Sequence, residues 1–170
     1  MKLLAYEVDK RSFLGVLNED ETWVYPVSAA GMEYRSMKDL IREAGPSEME
    51  MLYYISKKAP GDVMGAAPVD EIRVVSPIAE PDQDIICLGI NYMDHAEESA
   101  RFEKRAFEKP EKAIYFSKRV NRTNDPDGII PAHKNLTNQL DYEAELAVII
   151  KKDAKDVKPG EVKDYIFGYT

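Results

Sequence analysis

The protein has 170 residues, of which 44% are apolar and 9% aromatic, which is enough for one or two soluble globular domains with a real core. Its 31 acidic residues outnumber its 23 basic residues and give a net charge of -8. This charge, together with the lack of any basic cluster in the sequence, argues against a nucleic-acid partner and against binding to an anionic membrane surface.

The sequence carries no targeting signal that we can identify. The N-terminus reaches Glu7 and Asp9 at once and lacks the long apolar run of a signal peptide, and no apolar run approaches the length of a membrane span. We therefore predict a cytoplasmic protein. The single cysteine, Cys87, excludes an internal disulfide and a cysteine-cluster metal site, and its apolar neighbours favour a small core residue over a nucleophile.

The first part of the chain is predicted to form a small α+β module. Residues 3–8, 13–17 and 22–27 have the composition of strands in a β-meander. Two helices are predicted to follow, one capped by Ser36 and ending at residue 43, the other opened by Ser47 with Glu50 and running through residue 57. Their predicted core-facing side chains are Met37, Leu40 and Ile41 in the first helix and Met51, Leu52 and Ile55 in the second.

Prolines at positions 68, 77 and 81 interrupt the only short strand of the next segment, over residues 72–75. Because proline removes a ladder donor, the segment indicates a domain boundary near residues 77–82. We therefore predict an N-terminal α+β module over residues 1–80 and a mixed, β-rich domain over residues 81–170.

The second half is predicted to alternate strands with loops. A buried strand over residues 85–88 runs into a turn at Gly89 and Asn91, and a helix begins at Asp94 and extends to about residue 107. The later predicted elements are a strand over 113–117, a polar loop over 121–128, a central strand over 141–150, a short helix over 161–165 and a last strand from residue 166.

The central strand carries two carboxylates, Glu143 and Glu145. In a strand they would share one face, about 6.6 Å apart along the backbone, close enough to hold one cation between them. Oxygen ligands favour Mg²⁺ or Mn²⁺ over zinc, with Ca²⁺ a weaker candidate. A solvated strand face is the alternative interpretation, and the later part of the strand is predicted to be buried on both faces.

His95 and Glu98 lie three residues apart on the predicted helix, so that they would face the same side. A carboxylate that orients an imidazole suits a general base that activates water, although an ordinary exposed helical pair fits the same spacing. Lys118 could contact a substrate carboxylate or simply be solvated. His133 and Asp141 lie near the central strand and are ambiguous, and a structural role is favoured for each over a role in the site.

Three motifs together resemble the fumarylacetoacetate hydrolase family, prokaryotic type. They are Gly89-x-Asn91-Tyr92-x-Asp94-His95-x-x-Glu98, Asp141-Tyr142-Glu143-x-Glu145-Leu146 and Phe167-Gly168-Tyr169-Thr170. The resemblance covers residues 84–170. It implies that Glu143 and Glu145 bind Mg²⁺ or Mn²⁺, that His95 and Glu98 activate water, and that the protein is a homodimer.

The resemblance also implies a hydrolase that cleaves a carbon-carbon bond in an acylpyruvate-type diketo acid. Relatives that decarboxylate oxaloacetate-like acids or isomerise hydroxy-diacids share these motifs, which therefore do not distinguish the reactions. In the family a third metal ligand, an aspartate, follows the Gly-Tyr-Thr stretch, and it is absent from this sequence. We therefore expect the chain to be the N-terminal part of a longer enzyme, with a truncated non-catalytic binding module as the alternative.

Overall fold

The computed structural model describes residues 1–93, 97 and 112–170. Within these residues the chain is α+β, as predicted, with short α-helices and several antiparallel strands. Of the helix predicted from Asp94, only Glu97 lies within the described residues, and it is helical, as is Met93 just before the predicted start.

Contacts between residues divide the chain into two compact units. The first consists of residues 1–78 and 124–170, and the second of residues 79–123. The division into an N-terminal domain of residues 1–80 and a second domain of residues 81–170 stays a prediction.

The first unit contains a five-stranded antiparallel sheet. Its strands are β1 Leu3–Val8, β2 Arg11–Leu17, β3 Trp23–Pro26, β4 Ala67–Pro68 and β5 Arg73–Val75. They lie in the order β4-β3-β2-β1-β5. The strands predicted in residues 3–8, 13–17, 22–27 and 72–75 are all present with small shifts of their ends.

The hairpin between β1 and β2 turns through Asp9 and Lys10, and Val8 pairs with Arg11. Both turn residues have positive φ, 50° and 63°, as a two-residue type I′ turn requires. Strand β2 therefore begins earlier than the sequence predicted.

Both edges of this sheet are short. Strand β4 is only Ala67–Pro68, and β5 is only Arg73–Val75. Pro68 has no amide hydrogen to offer to another strand. Short edge strands and edge prolines are features that prevent unwanted pairing between sheets.

The helices are α1, Met37–Glu43, and α2, Pro46–Ile55. Ser36 caps α1 as predicted, because its hydroxyl accepts a hydrogen bond from the Asp39 N–H at 3.2 Å. The predicted start of α2 at Ser47 is wrong. The helix begins at Pro46, whose fixed φ suits the first helical position, and the Glu48 carboxylate accepts from the Gly45 N–H at 3.1 Å. No helix in the described ranges is long and apolar enough to cross a membrane.

The helices and the sheet enclose one main core. Met37, Leu40 and Ile41 of α1 are buried as predicted, and so are Leu52 and Ile55 of α2, whereas Met51 is 49% exposed. Tyr25 is fully buried in this core, and its hydroxyl donates to the Lys58 carbonyl at 2.8 Å. Burial raises the pKa of Tyr25, and the charges of Asp20 and Asp62 raise it further. The hydrogen bond therefore joins the sheet to the segment that follows α2.

The C-terminal segment of the first unit forms a two-stranded sheet of β8, Val148–Ile150, and β9, Ile166–Tyr169. The last predicted strand is confirmed by β9. The central strand predicted over 141–150 is wrong for residues 141–147, because the ladder of hydrogen bonds with β9 ends at the pair Ala147 and Thr170. The side chains of Ile149 and Phe167 pack against the main core.

The expected burial of β8 on both faces is also wrong. Val148 is 47% exposed and Ile150 is 53% exposed. Strand β8 pairs with β9 in a two-stranded sheet, which leaves these two side chains largely uncovered. The short helix predicted over 161–165 is a 3-10 helix, Pro159–Asp164.

The second unit contains an antiparallel pair of strands, β6, Ile85–Gly89, and β7, Ile114–Lys118. The first and last residues of this unit are joined by a hydrogen bond, in which the Thr123 N–H donates to the Ala79 carbonyl at 2.8 Å. The prediction that residues 85–88 are buried is wrong, because the pair forms only a two-stranded sheet and Ile86 is 68% exposed. Cys87 is partly buried, not a core residue.

The turn after β6 has its left-handed residue at Ile90, with φ of 53°. The sequence pointed instead to Gly89 and Asn91, the residue types that usually occupy such positions. A β-branched residue is rare in this region because its Cβ crowds the neighbouring carbonyl. Ile90 is therefore a strained residue at the start of the motif that contains His95.

We expect Leu52→Ala to lower the free energy of unfolding by about 3 kcal/mol, because it leaves a cavity at a fully buried site. Urea unfolding followed by the fluorescence of Trp23, the only tryptophan, measures the change. Met51→Ala, one position earlier on α2, is the matched control and should change the free energy by less than about 0.5 kcal/mol. Equal effects of the two variants would contradict this description of the core.

We expect Ile90→Asn to stabilise the turn after β6 by about 1 kcal/mol, because asparagine tolerates positive φ. Amide hydrogen exchange in β6 should slow by about fivefold. Ile86→Asn is the control at an extended position, where asparagine is disfavoured, and it should not slow exchange. Slower exchange in the Ile86 variant alone would contradict the assignment of strain to Ile90.

Candidate functional site

Glu143 and Glu145 lie in the exposed segment that leads into β8. The strand that was expected to orient them begins only at Val148. Next to Glu143, the Tyr142 N–H donates to the side chain of Asp141 at 2.8 Å, which is a local contact between neighbouring residues, and the structural role of Asp141 stays a prediction. A shared face for the two glutamates therefore stays a prediction, and the structure shows that both residues are exposed.

The β8–β9 ladder brings two of the three sequence motifs together. The Ala147 N–H donates to the Thr170 carbonyl at 2.8 Å, and the Thr170 N–H donates to the Ala147 carbonyl at 3.0 Å. Val148 pairs with Tyr169 and Ile149 with Gly168. The acidic motif is therefore fixed at its C-terminal end beside the Gly-Tyr-Thr stretch.

The donor set fits a hard cation in part. Carboxylate oxygens are the ligands that Mg²⁺ prefers, and Glu143 and Glu145 can supply two of them. Across residues 1–93, 97 and 112–170, no group of three or more His, Cys, Asp or Glu side chains is arranged to hold a metal ion.

The predicted dyad, His95 and Glu98, lies outside the described residues. The chain that leads to it is described. Strand β6 ends at Gly89, Ile90 takes its strained left-handed conformation, and Asn91 and Tyr92 follow. Backbone strain of this kind is often found at functional sites. The sequence alone did not reveal it, because an isoleucine gives no signal for positive φ.

Lys118 is the last residue of β7 and is exposed. Its Nζ lies 5.9 Å from the centre of the Phe116 ring. In the antiparallel pair of β6 and β7, Lys118 pairs with Ile85, whereas Gly89 pairs with Ile114. Lys118 therefore lies at the opposite end of this strand pair from the turn after Gly89, about 13 Å away along the strand. Its role in substrate binding stays a prediction.

His133 belongs to a local turn. Its φ is 45°, and its carbonyl accepts hydrogen bonds from the Leu136 N–H at 2.7 Å and from the Thr137 N–H at 3.1 Å. These are contacts of its backbone, and the role of its imidazole stays a prediction.

Comparison with known proteins finds relatives whose alignments extend over the whole chain. The oxaloacetate tautomerase YisK of Bacillus subtilis is 31% identical over 180 residues, an alignment that covers 100% of this chain and 58% of the relative. An uncharacterized protein of Staphylococcus epidermidis is 28% identical with the same coverage. The solved structure of a fumarylacetoacetate hydrolase from Exiguobacterium antarcticum is 27% identical, with a TM-score of 0.64 over 99% of this chain and 53% of that one.

The chain thus spans just over half the length of the relatives that it matches. The sequence model of the family described as fumarylacetoacetate (FAA) hydrolase C-terminal matches residues 84–170. This region includes all three motifs and makes up half of the chain. The protein therefore belongs to the fumarylacetoacetate hydrolase family.

Proposed function

We propose that the protein acts on a small keto-diacid with the help of Mg²⁺ or Mn²⁺. The observation that carries this proposal is the exposed pair Glu143 and Glu145, two residues apart and directly before the β8–β9 ladder. Members of the family are enzymes, and they generally use a divalent metal ion. A hard cation that keeps open positions for substrate oxygens suits a keto acid, which offers a carboxylate and a keto oxygen.

In this proposal, each candidate residue has one task. Glu143 and Glu145 hold the cation, which would act as a Lewis acid for the negative charge that develops on the keto oxygen. His95 takes and returns a proton, and Glu98 orients its imidazole. Lys118 contacts a substrate carboxylate. These assignments come from the motifs and from the types of side chain.

We favour the isomerisation of an oxaloacetate-like acid between its keto and enol forms. The support is the similarity over the whole chain to a protein named oxaloacetate tautomerase. In this reaction, His95 removes a proton from the carbon beside the keto group, and one proton is added to the keto oxygen. The reaction consumes no water, because one proton leaves carbon and one is added to oxygen.

Hydrolysis of an acylpyruvate-type diketo acid is the second candidate, supported by the similar structure named fumarylacetoacetate hydrolase. Here His95 would take a proton from water as the water oxygen attacks the distal carbonyl. The bond between that carbonyl carbon and the pyruvate unit would then break, its electron pair would leave with the pyruvate unit as an enolate, and the proton held by His95 would return to that enolate, so that a carboxylic acid and pyruvate are released. Decarboxylation of an oxaloacetate-like acid would need no water, and a bound cation would supply the same Lewis acidity. Homodimer formation and a cytoplasmic location stay predictions.

We expect the double variant Glu143→Gln, Glu145→Gln to weaken Mn²⁺ binding by more than about tenfold, since altering residues that only support metal ligands already costs 10- to 100-fold. Titration with Mn²⁺ followed by electron paramagnetic resonance measures this. Glu19→Gln with Glu21→Gln is the matched control, because these glutamates are also two apart and each pairs with a lysine. Equal Mn²⁺ affinity in both double variants would favour a non-catalytic module.

We expect His95→Ala to abolish turnover and to leave Mn²⁺ affinity unchanged, because the imidazole moves a proton and does not hold the cation. The assays compare oxaloacetate, whose keto and enol forms differ in ultraviolet absorbance, with acylpyruvates, whose hydrolysis releases pyruvate. CO₂ release reports decarboxylation. Full activity in the variant would remove His95 from the mechanism.

A further inference from the structure

Asp125 connects the start of the C-terminal segment to strand β5. Its carboxylate accepts a hydrogen bond from Arg73 Nη2 at 2.7 Å and another from the Ser76 N–H at 3.0 Å. Arg73 also donates from Nη1 to Glu7 of β1 at 2.8 Å. Asp125 thus joins a loop to two neighbouring strands of the five-stranded sheet.

The two contacts of Asp125 differ in their surroundings. The side chain of Arg73 is 62% exposed, so that water screens its ion pair with Asp125. Ser76 is buried and the side chain of Asp125 is only 18% exposed. A charge-assisted hydrogen bond to the amide of a buried residue is the stronger contact, because water screens it less.

The span from residue 126 to residue 146 is fixed close to both ends. At its start is Asp125, and at its end is the backbone pair of Ala147 with Thr170. All residues from 129 to 146 are exposed. The span contains local hydrogen bonds, such as that from the Leu136 N–H to the His133 carbonyl at 2.7 Å. Glu143 and Glu145 lie within this span. Releasing one end would therefore increase the conformational freedom of the carboxylates.

We propose that Asp125 is a positioning residue, which fixes the start of the span that contains Glu143 and Glu145 to the N-terminal sheet and so limits the conformations of the two carboxylates that would hold a cation. The role in metal binding rests on the proposed function, whereas the anchoring of the span does not. The N-terminal module thereby contributes to the site through Arg73 and the Ser76 amide.

Limited digestion with trypsin tests the anchoring, because Lys134 is the only lysine or arginine between residues 126 and 146. Asp125→Ala should speed cleavage at Lys134 by about tenfold, since it removes both contacts. Asp125→Asn should have a smaller effect, because its amide oxygen can still accept from the Ser76 N–H. Asp127→Asn is the control. It removes the same charge two residues away, at an exposed position with positive φ that asparagine tolerates.

The Mn²⁺ affinity of the same variants tests the positioning. Asp125→Ala should weaken binding by about tenfold, Asp125→Asn by less, and Asp127→Asn not at all. If the wild type binds Mn²⁺ and Asp125→Ala binds it with the same affinity, the positioning role is overturned and the proposed function is not affected. A wild type that does not bind Mn²⁺ would contradict the proposed function. In that case unchanged cleavage at Lys134 would also overturn the anchoring, and faster cleavage would support it.

Discussion

The packing of Ile149 and Phe167 against the core of the N-terminal sheet and helices fixes the β8–β9 ladder within the first unit. Strands β8 and β9 form a ladder of only two strands, and such a pair is marginal in water without a larger apolar surface beneath it. The core supplies that surface. Because β8 and β9 are fixed in this way, the acidic motif has a defined C-terminal end, and the Gly-Tyr-Thr stretch lies beside it.

Local signals in the sequence predicted the N-terminal module well. The cap at Ser36 and the buried stripe of α1 depend on neighbours within one or two helical turns, so that they can be recognised without knowing the fold. The start of α2 was missed because Pro46 and Glu48 make a better helix terminus than Ser47 and Glu50. The error comes from a competition between two local patterns, not from tertiary structure.

Features that need distant partners could not be predicted. Residues 141–147 have the composition of a strand, but a strand also needs a neighbour that supplies its ladder, and the sequence does not identify one. The burial expected for β6 failed for the same reason. At the site, the motifs predicted residue types and the family, whereas the strained Ile90 and the contacts of Asp125 with Arg73 and Ser76 appear only in three dimensions.

The short edges of the five-stranded sheet have a consequence for assembly. Strand β4 ends in Pro68, and β5 has only three residues, so that neither side offers a long row of free backbone groups. A neighbouring polypeptide would find little there to extend. The N-terminal sheet is therefore poorly suited to be continued by a strand of another subunit, and it is better suited to contacts through the side chains on its surface.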